Sequence, residues 1–418
     1  MHKRFVFSLM TSVLLAAWLA VSAVAADVPG LMVGASSAPV NPPVGTFLAG
    51  YDLNRASTGV HDDLFAKAVA FSDGTTSVAL VVIDSVSIQY DTTCEIRAAA
   101  ARLLKTPSLP PRQIIVQSTH THAAPDTIGI YGPNETTCGR NPKYMKLLVE
   151  TAAQQVAKAV DNMKPASAAF AETQCAGWAV NDSEPNNVDN SVTVMQFLDK
   201  EGKSIATLTN FACHPTVLDG DNTLTGADWV ASFYKSMSAK LPGEHLFLQG
   251  AIGCWMQPNT PERTFELARK YGEDLAAKTL AALEHETVLT DTRVRFASRV
   301  FNMPIANDNF KGMSQAGLVP RNFADSVETE AAWFAIGPAQ FATHLGETAP
   351  VFAAQTRQLM DTEPKFILGL GLDHLGYICP PDYFVSTDKY PHAKYLVSMS
   401  PCPQAGPVMM EALKSIIP

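Results

Sequence analysis

Residues 118–127 read STHTHAAPDT, in which His120 and His122 are separated by a single threonine. Imidazole nitrogens bind transition metals and transfer protons, so two histidines at positions i and i+2 are candidates for both kinds of chemistry. The pair follows the apolar run Ile114-Ile115-Val116, which is typical of a buried strand. We therefore expect the pair at a strand end, with both side chains on one face. The alternative is a polar loop with two hydrogen-bonded histidines.

A second candidate site lies in the segment NFACHPTVL, where His214 is followed by Pro215. Proline cannot continue a strand ladder, so His214 is also predicted at a strand end. Asp228 lies in a further polar cluster shortly after it. Zinc takes histidine nitrogens and carboxylate oxygens, and catalytic zinc sites keep one position open for water. Two histidine sites at strand ends favour a zinc hydrolase, although His214 alone also fits a hydrogen-bonded turn.

The elements that must position these histidines alternate along the chain. Apolar runs separated by short turns predict two hairpins, FAKAVAFSD with SVALVVIDSVSI and SVTVMQFLD with SIATLTNFACH. Further strands are predicted for HLFLQGAIG and TRVRFASRVFNMPI, and alanine-rich helices lie between the strands. Interleaved helices and hairpins predict an α/β fold with a mixed sheet, formed as a single large domain.

The N-terminal residues have the pattern of a secretory signal peptide. A basic start is followed by a long uncharged apolar stretch and by the cleavage pattern Ala23-Val24-Ala25. We expect residues 1–25 to be removed, so that the mature domain spans residues 26–418 and is secreted or periplasmic. An uncleaved membrane anchor is the alternative. No later stretch has the length of uncharged apolar sequence that spans a bilayer.

Charge and cysteine content narrow the possible partners. The formal net charge is −9 and no basic block is present, which argues against nucleic acid as a partner. The seven cysteines include no C-x-x-C pair, so the sequence signals neither a ribbon-type zinc site nor a thioredoxin motif. An odd number of cysteines leaves at least one without a partner inside the chain.

Several segments, taken in order, resemble the neutral ceramidase family. STHTHAAPD is similar to the family's Thr-His-Thr-His-Ser-Gly-Pro signature, and SVTVMQFLDKEGKSIATLTNFACHPTVL resembles the segment with its second zinc histidine. VGASSAPVNPPVGTFLAGY resembles the beginning of the family's N-terminal domain, and LGYICPPDYF resembles its tyrosine segment. The matching order runs from about residue 31 to residue 395, which covers nearly all of the expected mature chain. The family's C-terminal immunoglobulin-like domain is not expected here.

The resemblance implies a reaction and a set of site residues. The family hydrolyses the amide bond of ceramide with a zinc ion held by two histidines, a glutamate and a tyrosine. By resemblance, His120 and His214 are the histidine ligands and Tyr377 is the tyrosine. His122 would stand beside the metal and hydrogen-bond the oxyanion or water. Tyr390 takes the place of a second site tyrosine after a shift of one residue.

Two departures from the family pattern concern the site. The family's glutamate belongs to a Pro-Gly-Glu motif, whereas the stretch compared with it reads Pro338-Ala339-Gln340. Gln340 would then occupy the ligand position, and a neutral amide oxygen is a poorer zinc ligand than a carboxylate. His344 or Glu347 could substitute if the loop is reshaped.

The second departure is in the segment GCWMQP, residues 253–258, where the family has Gly-Asp-Val-Ser-Pro. The serine that the family associates with ceramide hydrolysis is missing, and Cys254 replaces the aspartate. Cys254 could be a thiol nucleophile or a soft metal ligand. The alternatives are a buried thiol or a disulfide with another strand-end cysteine such as Cys213.

Two functions therefore stay open from the sequence. The first is an exported zinc-dependent hydrolase of the ceramidase type that acts on an amide or ester bond of a lipid-like substrate. The second is a catalytically impaired, ceramidase-like binding protein that keeps the fold and perhaps the metal.

The predicted signal peptide gives a direct test. N-terminal sequencing of the native exported protein should begin near Ala26 or Asp27, because the A-x-A pattern directs cleavage after Ala25. Recovery of a membrane-bound form that still begins with Met1 would contradict this expectation.

Overall fold

The computed structural model of the protein describes residues 30–105 and 109–418, so the predicted signal peptide lies outside the described residues. The strands are β1 Met32–Pro39, β2 Gly59–Val60, β3 Phe65–Ser72, β4 Ser77–Ile83, β5 Ile114–Ser118, β6 Lys164–Gln174, β7 Ala179–Asn181, β8 Ser191–Asp199, β9 Ser204–Phe211, β10 Leu224–Thr225, β11 Glu244–Gln249, β12 Met256–Pro258, β13 Thr287–Val288, β14 Val294–Pro304, β15 Ser326–Ile336, β16 Ala339–His344, β17 Glu347–Thr348, β18 Lys365–Gly369 and β19 Tyr377–Ile378.

The helices lie between and after these strands, as the sequence predicts. They are α1 Tyr90–Leu103, α2 Pro142–Asp161, α3 Trp229–Ser238, α4 Phe265–Leu283, α5 Asp308–Gln315, α6 Pro350–Leu359, α7 Pro381–Val385, α8 Ala393–Ser398 and α9 Ala405–Lys414, with a short 3-10 turn at Pro111–Gln113. The predicted mixed α/β fold is confirmed. None of the helices in the described part of the chain combines the length and apolar character that crossing a bilayer requires.

The largest sheet has nine strands and mixes parallel with antiparallel pairs. Its main path runs β11-β9-β8-β6-β1-β3-β4-β5, with β13 paired beside β6. Both predicted hairpins are present, since β3 pairs with β4 and β8 pairs with β9, in each case antiparallel. Only two residue pairs join β1 to β6, so the sheet consists of two halves that meet at this short junction.

A second sheet, in the order β14-β15-β16-β18, completes the core. Its inner face shares one buried cluster with the inner faces of both halves of the large sheet. Phe71 of the first half lies 6.0 Å from Phe197 of the second half and 5.6 Å from Phe334 of the second sheet, measured between ring centroids. Three sheet faces thus surround one apolar core.

The opposite face of each sheet carries helices. In β4, Val78, Leu80 and Val82 belong to the central core, whereas Ala79 and Val81 belong to the cluster under the helices. Strands buried on both faces are expected to read as continuous apolar runs, which explains the sequence SVALVVI. The site must therefore lie at an end of the strands, where the chain leaves the layers.

Two buried glutamines hold together the strand ends at which the candidate site lies. The side-chain amide of Gln117, in β5, donates to the carbonyls of Gln249 at 2.8 Å and Gly369 at 2.9 Å. The amide of Gln249, at the end of β11, donates to the carbonyls of Thr119 at 3.0 Å and Cys213 at 2.9 Å. The side-chain amide oxygen of Gln249 also accepts from the backbone N–H of Cys213 at 3.2 Å. Gln249 thus ties the segment before His120 to the segment before His214.

Replacing Gln249 should destabilise the fold and disturb the site together. Gln249→Leu leaves the carbonyls of Thr119 and Cys213 and one N–H buried without partners, so we expect a loss of roughly 3–5 kcal/mol in the free energy of unfolding. Urea unfolding measures this loss.

The control for this experiment is Gln315→Leu, because Gln315 is exposed at the end of α5. That change should alter the free energy of unfolding by less than about 0.5 kcal/mol. Equal stability of the Gln249 and Gln315 variants would show that the buried amide does not hold the strand ends.

Candidate functional site

Three parallel strand pairs place the candidate residues close together. β4 pairs with β5, β9 with β11, and β16 with β18, one parallel pair in each sheet face. His120 follows β5, His214 follows β9, and Glu347 follows β16. Loops at the carboxyl ends of parallel strands commonly form ligand sites in α/β proteins. The sequence prediction that both histidines lie at strand ends is confirmed.

The two strand-end histidines are held by the same kind of contact. Nδ1 of His120 lies 2.6 Å from the carbonyl oxygen of Val86, and Nδ1 of His214 lies 2.8 Å from that of Met256. A carbonyl only accepts hydrogen bonds, so each Nδ1 carries the proton and each Nε2 of a neutral ring has a free lone pair. This arrangement is typical of metal-binding histidines, whose second nitrogen is fixed by a backbone acceptor.

Glu347 supplies a carboxylate between these two imidazoles. Its oxygens lie 3.0 Å from Nε2 of His214 and 3.6 Å from Nε2 of His120. Burial acts to raise the pKa of Glu347, but His120 and the other neighbouring histidines hold it well below its usual range. Burial also lowers the pKa of His120 to about 3. At neutral pH the site therefore combines an ionised carboxylate with a neutral His120 ring.

This set of atoms fits a metal cation. The Nε2 atoms of His120 and His214 face a carboxylate that cannot donate a hydrogen bond, so a proton or a metal ion must lie between these atoms. His120, His122 and His214 each offer one nitrogen, and these nitrogens all lie within 4.8 Å of one another. The described residues thus contain a buried histidine cluster that could hold a metal ion.

His122 takes a different place from the other two histidines. Its Nε2 lies 3.2 Å from Nε2 of His120, and because the latter has the lone pair, Nε2 of His122 carries the proton. Burial lowers the pKa of His122 well below its usual value, so this ring is neutral as well. Its backbone carbonyl accepts a hydrogen bond from the guanidinium of Arg55. Gly50 packs so closely that a Cβ there would lie 2.3 Å from the His122 ring. The ring is therefore held with a donor directed at the cluster.

Tyr377 lies beside Glu347 in a short parallel ladder. β17 pairs with β19, and Glu347 is the partner of Tyr377 in that register. The indole Nε1 of Trp255 donates to the Tyr377 hydroxyl oxygen at 2.9 Å. Burial, reinforced by the Glu347 carboxylate, holds the pKa of Tyr377 well above its usual range. The structure thus brings Tyr377 to the histidine cluster.

The prediction that Gln340 occupies the glutamate ligand position requires correction. Gln340 lies within β16, where its amide accepts from Trp333 at 3.0 Å and donates to Asp361 at 2.9 Å. It precedes the end of the strand at His344 by four residues, which is roughly 13 Å of extended chain. Glu347, named from sequence only as a substitute, contacts the histidines instead. The sequence signal for Glu347 was the pair Gly346-Glu347, which matches the last two residues of the family's Pro-Gly-Glu motif.

The same correction applies to His344, the other substitute considered. Its Nε2 lies 2.9 Å from the hydroxyl of Thr356, and the ring is fully buried inside the fold. The structure does not bring it to the histidine cluster.

Tyr390 is likewise not brought to the site. Its ring stacks on Tyr383 with the centroids 4.3 Å apart. Tyr395 lies instead in the pocket beside Tyr377, with the two ring centroids 6.0 Å apart. Burial and the Glu347 carboxylate raise the pKa of Tyr395. The loop between α7 and α8 decides which tyrosine reaches the pocket, and spacing alone did not reveal it.

Cys254 does not join the cluster either. Its thiol accepts a hydrogen bond from the Tyr383 hydroxyl at 3.2 Å, and the residue is 1% exposed. Burial raises the pKa of Cys254 to about 12, so the thiol is protonated at neutral pH and is a poor nucleophile. All seven cysteines are free, so the disulfide with Cys213 is absent as well. The buried-thiol alternative agrees with the structure.

His374 is a site residue that the sequence reasoning missed. Its Nε2 lies 3.8 Å from a carboxylate oxygen of Glu347 and has no hydrogen-bond partner in the described part of the chain. The backbone N–H of His374 donates to the buried carboxylate of Asp373 at 2.7 Å. Asp373 in turn pairs with Arg321 at 2.6 Å, which fixes this loop. His374 is a single histidine before LGYICPP, and its spacing from other residues did not indicate a site.

A surface pocket of about 470 Å³ leads to the cluster. His122, His214 and Tyr377 are among its lining residues. The remaining lining is aromatic or polar, with little aliphatic surface: Gly50, Tyr51, Val180, Asp182, Thr216, Asp219, Trp255, Gln257, Pro258, Asn259, Thr260, Arg263 and Tyr395. A small molecule can therefore reach the histidines from outside.

Comparison with known proteins gives one matching family and similar solved structures. Residues 32–239 match the family described as neutral/alkaline non-lysosomal ceramidase, N-terminal. The fold is similar to that of a neutral ceramidase from Pseudomonas aeruginosa, with a TM-score of 0.78 and 15% identity over 94% of this chain and 74% of that chain. A second solved structure, a ceramidase complexed with C2, gives a TM-score of 0.75 and 14% identity over 94% of this chain and 75% of the other. At these identities the two structures establish the shared fold alone. With its matched N-terminal half, its ceramidase fold and its converging histidines, the chain belongs to the neutral/alkaline non-lysosomal ceramidase family.

Proposed function

We propose that this protein is an exported zinc-dependent hydrolase that cleaves an amide bond, or an ester bond, of a lipid-like substrate. The observation that carries the proposal is the convergence of the Nε2 atoms of His120 and His214 on the carboxylate of Glu347. Membership of the ceramidase family supports the amide and the lipid-like substrate. The signal-peptide pattern in residues 1–25 supports export.

His120, His214 and Glu347 would hold the metal, with Tyr377 beside them. Two histidines and a carboxylate are a common ligand set for catalytic zinc, which keeps a further position for water. A zinc ion bound there supplies a Lewis acid and lowers the pKa of water to about 7. Glu347 contributes a negative charge, which partly neutralises the cation in a buried place.

His122 is positioned to stabilise charge during hydrolysis. Its Nε2–H points at the same space as the ligand atoms, so it can donate to the carbonyl oxygen of the substrate as negative charge develops. In the overall reaction water adds to the carbonyl carbon, the C–N bond breaks, and a proton is transferred to the departing amine. A neutral, buried imidazole that holds one proton is suited to this donation.

Ceramide itself is expected to be a slow substrate. The segment at residues 253–258 lacks the serine that the resemblance associates with ceramide hydrolysis, and the Cys254 thiol accepts a hydrogen bond from Tyr383. Loss of one catalytic donor typically costs about 3–4 kcal/mol, or on the order of a hundred- to a thousandfold in rate. Because Glu347 contacts the histidines and Gln340 does not, a neutral glutamine ligand is no longer a reason to expect low activity.

Metal binding tests the ligand assignment. His120→Ala, His214→Ala and Glu347→Gln should each weaken zinc affinity by at least the roughly 10–100-fold that loss of a supporting residue costs, while Tyr377→Phe should weaken it less. Competition titration against a zinc-binding dye measures the affinities. His285→Ala is the matched control, because His285 is exposed on the surface. Full zinc occupancy in both histidine-to-alanine variants would show that the site is elsewhere.

Removing the metal tests the reaction. Hydrolysis of a fluorogenic N-acyl amide should disappear after treatment with a chelator and return when zinc is added, because the bound metal activates the water. Ceramide should be cleaved more slowly than a short-chain acyl amide. Tight zinc binding without hydrolysis of any amide or ester in a panel would favour the alternative function, a ceramidase-like binding protein. Full activity in the metal-free protein would contradict the proposal.

A further inference from the structure

The pocket that leads to the histidine cluster contains one carboxylate whose charge is not balanced by the protein. Asp182 follows β7, and this strand pairs antiparallel with β12. The backbone N–H of Asp182 donates to the carbonyl of Trp255 at 3.2 Å, which places Asp182 at the wall of the pocket next to Trp255. Its carboxylate forms no hydrogen bond and no ion pair in the described parts of the chain.

The cation that lines the same pocket is already engaged. The Arg263 guanidinium donates to the carbonyl of Thr216 at 2.8 Å and lies 3.6 Å from the Asp219 carboxylate. Asp219 therefore compensates the charge of Arg263. The negative charge of the Asp182 carboxylate remains available to a ligand in the pocket.

Aromatic rings line the pocket beside this carboxylate. The ring centroids of Trp255 and Tyr395 are 5.6 Å apart, and those of Tyr377 and Tyr395 are 6.0 Å apart. Aromatic faces attract ammonium groups through their electron-rich π systems, and aromatic cages bind quaternary ammonium ligands in this way. Aliphatic side chains, which would receive a long acyl chain, are nearly absent from this lining.

We propose that the pocket selects substrates with a protonated amine near the bond that is cleaved, and that Asp182 is the residue that binds this amine. The inference rests on the proposed hydrolase function and names its substrate class: an acyl amide whose polar part is cationic. The acyl part would then extend out of the pocket, while the ammonium group lies between Asp182 and the aromatic rings. A charge-assisted hydrogen bond to the carboxylate supplies the selectivity.

Binding measurements test the inference without requiring hydrolysis. Isothermal titration of the zinc-loaded and the metal-free protein would use hexylammonium, the neutral hexanol and the anionic hexanoate as probes. Hexylammonium should bind more tightly than hexanol, and Asp182→Asn should weaken it by about tenfold while leaving hexanol unchanged. Asp161→Asn is the control, since it removes one negative charge from an exposed position that pairs with Lys105. This control should leave the affinity for hexylammonium unaltered.

Hydrolysis assays with matched amides separate this inference from the proposed function. N-hexanoyl-ethylenediamine, which carries a protonated amine, should be cleaved with a higher kcat/KM than its neutral analogue N-hexanoyl-ethanolamine, and Asp182→Asn should remove the difference. Cleavage of both amides at equal rates in the wild type would overturn the inference and leave the hydrolase intact. Asp182-dependent binding of hexylammonium without cleavage of either amide would support the amine site and contradict the hydrolase. Preferential binding of hexanoate to the metal-free protein would assign the pocket to Arg263 and overturn the inference as well.

Discussion

The site depends on hydrogen bonds between side-chain amides and strand ends that do not pair with each other. β5 and β11 are the two ends of the path through the large sheet, so no backbone ladder joins them. Gln117 and Gln249 provide that connection through their amides, and both are fully buried. An amide with two donors and one acceptor can satisfy several backbone groups at once. Because the segments of His120 and His214 are fixed to the same side chain, the distance between the two imidazoles is set by the fold.

The electrostatics of the site follow from this placement. Burial keeps the His120 and His122 rings neutral, and neutral imidazoles offer lone pairs rather than positive charge. The ionised carboxylate of Glu347 lies close to Nε2 of His120 and to Nε2 of His214. Buried polar groups without partners are costly, so such a cluster is stable only with a cation or an additional proton. The physical argument for a metal at this position is therefore the approach of two imidazole Nε2 atoms to one carboxylate, which needs a cation or a proton between them.

The segment after β11 shows how a departure from a family pattern can reshape a pocket. A Cβ at Gly253 would lie 2.5 Å from the Glu347 carbonyl oxygen, so position 253 cannot carry a side chain in this backbone. Cys254 and Trp255 then adopt positive φ angles of 62° and 56°, which are uncommon for residues other than glycine. The turn directs the thiol to Tyr383 and the indole to Tyr377. The same residues that remove the expected serine thus build the aromatic wall of the pocket.

The sequence by itself determined the two hairpins and the strand-end positions of His120 and His214. Runs such as SVALVVI predict strands buried on both faces, and histidines directly after such runs must lie at strand ends. The ordered motifs also determined the family. Tertiary structure decided the remaining site residues, because Glu347, His374 and Tyr395 reach the cluster through loops whose paths depend on how β16 and β18 pair and how α8 packs. Motif comparison placed the carboxylate ligand at Gln340, inside a strand, because residue spacing does not show where a strand ends. Only the folded chain, in which the parallel pair directs the following loop to the histidines, distinguishes Gln340 from Glu347.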